Sequence, residues 1–208
     1  MDFAMTPLDT VFVDIDTQAD FMLPSGSLYV PGAIEIIPHL RTLFEFARER
    51  RIPILSSADA HPPDDPSFSE WPPHCVVGTP GQRRIPETLW PDPVIVPNHP
   101  RAFSPPAVCS GQTIVEKVEY DLASNPNFDA ILSSLGERRF VVFGVATEYC
   151  VRGAVLALRK RGCKVTVVTD AIQAITDAGG RKAIEEMTAA GAQLVTTREV
   201  CPSLGAHA

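Results

Sequence analysis

The sequence predicts an α/β fold, a mostly parallel sheet covered by helices on both faces in a Rossmann-like three-layer arrangement. Apolar runs of strand length alternate with helical patterns along the chain, as in successive β–α–β units. Those runs read as buried strands. Asp16, Asp59-x-His61, Lys117 and Cys150 each fall at or near the C-terminal end of a different predicted strand. That is the edge where parallel sheets bind their ligands.

Residues 10–16 form the first predicted strand, apolar until it turns acidic at Asp14 and Asp16. Two apart, these carboxylates are expected on one side of the strand. Residues 31–51 have helical periodicity, with Ile34, Ile37, Leu40, Leu43, Phe44 and Ala47 on one face. Residues 52–57 read as a second buried strand. A proline-rich stretch follows, with Pro62-Pro63, Pro72-Pro73 and Pro105-Pro106. Proline removes a donor and clashes with the preceding turn, so this stretch is no regular helix. It carries Trp71, His74, Trp90 and His99, which favours an ordered loop over a linker. A weak strand at 94–96 interrupts it. Strands follow at 113–118, 139–145, 164–170 and 193–196. Helices are expected at 127–135, 148–161 and 180–190, closed by Gly136, Gly162 and Gly191.

The 208 residues suit one domain, 1–208, with the loop region at about 59–106. The net charge is −7 with no basic stripe, so nucleic acid is not an expected partner. No apolar run reaches membrane-spanning length and the N-terminus lacks signal-peptide character. A cytoplasmic protein with no membrane partner is expected. The five cysteines, 75, 109, 150, 163 and 201, are odd in number and irregularly spaced, as for reduced thiols.

Cys150 sits at the first turn of a predicted helix just past a strand. Taken alone it reads as a small core residue, yet a helix N-terminus favours the thiolate and offers N–H groups to an oxyanion. Asp16, desolvated at a strand end, can act as a general base, with Asp14 a rival and Asp20 a local turn former. Lys117 can stabilise negative charge, or be an edge lysine keeping its head in water. Asp59, His61 and His74 make a set for a divalent first-row metal. Phe21 and Trp71, expected exposed in loops, can hold a flat heterocycle between rings.

Several motifs then match a known family. Asp16-Thr-Gln18-Ala-Asp20-Phe21 resembles the Asp-x-Gln-x-Asp-Phe opening of isochorismatase-like cysteine hydrolases, continued by Gly26 to Ala33. Gly144-Val-Ala-Thr-Glu-Tyr-Cys150-Val-Arg is similar to their nucleophile motif. Asp59-x-His61-Pro and Trp71-Pro-Pro-His74-Cys75 resemble the metal-binding region of nicotinamidases within that family. The likeness spans residues 10 to about 196.

The resemblance implies Cys150 as nucleophile, Asp16 as general base and acid, and Lys117 as third triad member. It implies an oxyanion hole from the N–H groups of Ala146 and Cys150, near a cis Val145–Ala146 peptide. Asp59, His61 and His74 would hold one divalent ion, zinc first, with iron or manganese as alternatives, and Phe21 and Trp71 would stack on the substrate ring. The implied reaction is hydrolysis of nicotinamide to nicotinate and ammonia through a thioester, by a homo-oligomer. The alternatives are a related amidase for ureido, carbamoyl or maleamate-type substrates, or a non-catalytic binding domain. The chain departs from the pattern at Asp65, where nicotinamidases often carry a histidine, and Asp65 is a further candidate oxygen ligand. Glu148 stands where aspartate is common, and residues 117–128 lack the usual glycines and serines.

Overall fold

A computed structural model describes residues 9–100 and 110–202. Its strands are β1 (Thr10–Ile15), β2 (Ile54–Asp59), β3 (Val94–Val96), β4 (Gln112–Lys117), β5 (Arg139–Val145), β6 (Lys164–Gln173) and β7 (Gln193–Val195). The helices are α1 (Ala19–Met22), α2 (Ile37–Arg50), α3 (Phe128–Leu135), α4 (Arg152–Lys160), α5 (Asp177–Ala189) and α6 (Thr197–Val200). All seven strands join one sheet in the order β3-β4-β2-β1-β5-β6-β7, and every ladder is parallel. Parallel strands need crossover connections, and here helical segments supply most of them. Every residue of β1 and β2, and all of β5 after Arg139, is buried, so the centre of the sheet is covered on both faces.

Helix α2 is shorter than its sequence pattern. A separate 3₁₀ turn, Ala33–Ile36, precedes it and leaves Ile34 exposed at 47%. Phe46 is buried instead and stacks on Phe12 of β1. The helix stops at Arg51, whose left-handed conformation (φ 55°) lets its N–H reach back to the carbonyls of Ala47 and Arg48. Strand β6 runs three residues further than expected, to Gln173, because its register against β5 shifts between Val142 and Gly144. The short helices α1 and α6 carry too little periodicity to be read from sequence. At α6 the start is a reciprocal pair, in which Thr196 and Glu199 bond each other's backbone N–H.

The chain builds the sheet outward from β1, first through β2 on one side and later through β5 on the other. The crevice beyond β1 and β5 is therefore the topological switch point. Gly144 makes that crevice tight. A Cβ there would lie 2.1 Å from the Ile15 carbonyl, and its φ of 117° suits glycine alone. The proline-rich region is an ordered loop with 3₁₀ turns at Pro66–Ser69 and Pro86–Thr88. The last part of the expected loop region, 101–106, lies outside the described residues, as does Cys109. The other four cysteines are free thiols.

Candidate active site

Asp16 follows β1 in a left-handed conformation, φ 49°, which aspartate tolerates better than most residues. The expectation that Asp14 and Asp16 share one side fails at this twist. Asp14 lies in register with Ser56 and accepts its hydroxyl at 3.0 Å. It also pairs with the Arg84 guanidinium. Asp16 instead accepts the hydroxyl of Ser57 at 2.6 Å, the next residue on β2 and hence on its opposite face. The two carboxylates serve separate networks. Arg84 links them from behind by donating to the Ser57 carbonyl at 2.8 Å.

Lys117 ends β4, and its side chain is fully buried, so the edge-lysine reading does not hold. Its ammonium lies 2.8 Å from Asp16 Oδ2, contacts Asp59 Oδ1, and stands 3.6 Å from Cys150 Sγ. Burial favours the neutral amine, yet the two carboxylates outweigh it and hold the pKa of Lys117 well above its ordinary range. The same balance splits the carboxylates. Burial wins at Asp16, whose pKa is raised against the pull of Lys117. At Asp59 burial is outweighed by Lys117 and His61, and the pKa is lowered.

Cys150 lies in a π-helical turn, Thr147–Val151, that leads into α4. The Ala146 carbonyl accepts from the N–H groups of Tyr149 (3.1 Å) and Val151 (3.2 Å), and the Val145–Ala146 peptide is cis. The pull of the helix start toward a thiolate is outweighed here. Burial pushes the thiol well above its ordinary range despite the nearby Lys117, because removal from water outweighs one cation and the helix end. A base is therefore needed, and Asp16 is the neighbouring acceptor.

Asp59, His61 and His74 are buried, and their donor atoms all lie within 4.8 Å of one another. His74 Nδ1 donates to the Pro72 carbonyl at 2.8 Å, which fixes its proton there, since a carbonyl only accepts. His61 Nδ1 lies 3.0 Å from Asp65 Oδ2. Both Nε2 atoms then turn toward Asp59 Oδ2, at 3.6 and 3.8 Å. Three electron-pair donors converging on one point is an arrangement that a divalent cation satisfies. Asp65 lies behind His61 rather than among these donors. Its other oxygen accepts from Ser67 N (2.9 Å) and Ser67 Oγ (2.6 Å).

Several supporting residues had no role assigned from the sequence beyond their place in a motif or a turn. Gln18 clamps Asp59 through two backbone bonds, accepting from its N–H at 2.7 Å and donating to its carbonyl at 2.8 Å. Asp20 is no mere turn former. It accepts from Cys75 N at 2.7 Å and Ser27 N at 2.9 Å, tying α1 to the histidine loop. A Cβ at Gly81 would strike that carboxylate at 2.1 Å. The motif spacing around Gln18 and Asp20 was the available clue, but Ser57 and Arg84 had none.

These groups open onto one cavity of about 580 Å³, lined among others by Asp16, Phe21, His61, Trp71, Ala146 and Cys150. Phe21 is buried on α1 rather than exposed in a loop, and its ring packs 5.5 Å from that of His74. Trp71 is half-buried and donates its indole N–H to the Tyr120 hydroxyl at 2.8 Å. Tyr149 completes this aromatic wall. A larger cleft of about 980 Å³ lies at the opposite edge, lined by Arg138, Arg139, Arg161 and Lys164, and holds none of these groups.

A parallel α/β sheet with an aspartate, a lysine and a cysteine gathered at its switch point defines the class, an isochorismatase-like hydrolase. Comparison with known proteins gives the same answer. The model of the isochorismatase domain matches residues 10–199, and the chain belongs to that family. It is 29% identical to a nicotinamidase of Escherichia coli, over 88% of this chain and 92% of that protein. A zinc complex of pyrazinamidase from Pyrococcus horikoshii superposes with a TM-score of 0.77 at 30% identity, covering 90% of this chain and 99% of that one. N-carbamoylsarcosine amidase from Thermoplasma acidophilum superposes with a TM-score of 0.72 at 25% identity, covering 91% and 96%. Among the described residues, no helix is long and apolar enough to cross a membrane.

Proposed function

We propose that the protein hydrolyses nicotinamide to nicotinate and ammonia through a thioester on Cys150. The observation that carries this reading is the Asp59–His61–His74 donor set opening onto the same cavity as Cys150. One end of the cavity thus offers a seat for a ring nitrogen and the other a nucleophile. Phe21 and Trp71 supply apolar surface for the ring between them.

Asp16 removes the proton from Cys150 Sγ, and Lys117 stabilises both the carboxylate and the nascent thiolate beside it. The sulfur attacks the carboxamide carbon, and the N–H groups of Ala146 and Cys150 receive the oxyanion. Asp16 returns its proton to the departing nitrogen, the C–N bond breaks, and ammonia leaves. Water then adds to the thioester with Asp16 again as base, and the C–S bond breaks to give the acid and the free thiol. Asp59, His61 and His74 would hold a divalent ion, zinc foremost, and when bound it would supply Lewis acidity at that end of the cavity.

The likeness to a carbamoyl amidase raises the rival of an anionic substrate. The described lining of the cavity includes no arginine or lysine to pair with a carboxylate, and it carries Glu70 and Glu119. That favours a neutral amide. The test is ammonia release from nicotinamide, an N-carbamoyl amino acid and maleamate, before and after chelation. Nicotinamide turnover that chelation abolishes and metal restores supports the reading, and preference for an acidic substrate without metal overturns it.

A further inference from the structure

We propose that Asp65 is a positioning residue that sets metal affinity through His61, and that this aspartate does not itself ligate the metal. The inference rests on the metal-site reading given above. The two imidazoles are held in the same tautomer by unlike partners. His74 leans on a neutral acceptor, the Pro72 carbonyl. His61 leans on a carboxylate, with Nδ1 3.0 Å from Asp65 Oδ2. An anionic acceptor draws the Nδ1 proton more strongly, leaves more electron density on Nε2 and locks the ring angle.

Asp65 has no free oxygen for a second role. Oδ1 takes both the N–H and the hydroxyl of Ser67, and these bonds cap the turn Pro66–Ser69. Phe68, carried on that turn, packs its ring 5.5 Å from His61 and 5.8 Å from His74. One carboxylate thus orients a donor ring and shapes the turn that walls both donor rings. A stretch with an aspartate and a serine two residues on can build this support, where a histidine at 65 would offer another nitrogen.

The experiment compares metal-stripped wild type, Asp65→Asn and Asp65→Ala by zinc competition against a chromophoric chelator. Asparagine keeps the size of the side chain but has no charge and only one acceptor oxygen, so it can cap the turn or accept from His61, not both. The expected order of affinity is wild type, then Asp65→Asn, then Asp65→Ala, with a total loss of roughly 10- to 100-fold and one ion per chain throughout. Cobalt(II) forms should keep the same coordination number, read from d–d band intensity, because the ligand set is unchanged. Thermal melting of the metal-free proteins serves as the folding control. If Asp65→Ala melts early, the wild type and Asp65→Asn pair decides. Affinity in Asp65→Asn equal to wild type overturns the proposal. So does a cobalt d–d band intensity that shows a different coordination number in Asp65→Asn, which would make Asp65 a ligand. A folded wild type that binds no zinc at all overturns the metal-site reading itself, a result distinct from both.

Discussion

The ammonium of Lys117 lies 2.8 Å from the carboxylate of Asp16, and neither side chain reaches solvent. The same ammonium contacts Asp59 Oδ1, while Asp59 Oδ2 faces the two histidines. One buried cation therefore joins Asp16 to the Asp59–His61–His74 cluster. Removing it strands two carboxylates in the interior. Lys117→Met should lower unfolding free energy by about 3–5 kcal/mol and abolish turnover, as read by urea titration and ammonia release. Unchanged stability would contradict the ion-pair geometry.

Stability should also follow Lys117 at alkaline pH. Its folded pKa is raised above the ordinary 10.5, so the ammonium contributes fully below that value. The contribution is lost as pH rises through the elevated folded pKa. Urea midpoints measured from pH 9 upward should fall in wild type, and the fall should be shallower in Lys117→Met.

Cys150→Ala removes the proposed nucleophile and leaves the rest of the cavity lining in place. Turnover should drop by about four to six orders of magnitude, while calorimetry still detects the amide or its acid product. Appreciable residual turnover would rule out the thioester route.

Ser57 donates to Asp16 Oδ1 at 2.6 Å and so favours the ionised carboxylate. Burial already raises the pKa of Asp16 above its ordinary 3.8. The proposed base is the ionised carboxylate, so activity should fall as pH drops through that raised value. Ser57→Ala removes a stabilising donor and should push the acid limb of kcat/KM upward by about one pH unit, the equivalent of one charged hydrogen bond. A limb that stays in place would assign that limb to another group.

Trp71 holds its place by donating to Tyr120. Tyr120→Phe should raise KM a few-fold with kcat nearly unchanged, consistent with loss of one neutral bond of about 1 kcal/mol. Trp71 emission, read against Trp90→Phe as background, should lose part of its ligand-induced change in the same variant.

The sheet, the strand ends and the residues placed on them were legible in the sequence, because periodicity and turn chemistry are local properties. Strand ends placed Asp16, Lys117 and Cys150 on one edge with Asp14 as a rival, and the motif resemblance chose Asp16. Tertiary structure decided the rest. The physical reason that Asp16 and not Asp14 faces Lys117 lies in a backbone twist after β1 and in register with a strand 41 residues away. Asp65 reads in sequence as a donor, and only the fold turns it toward His61 Nδ1 instead. In sequence, the place of Cys150 at a helix start favours a thiolate, and only burial, which exists in the fold alone, holds the proton on. Sequence by itself placed chemically able groups along one edge. The charges they carry and the partners they choose depend on solvation and register, which exist only once distant strands have packed.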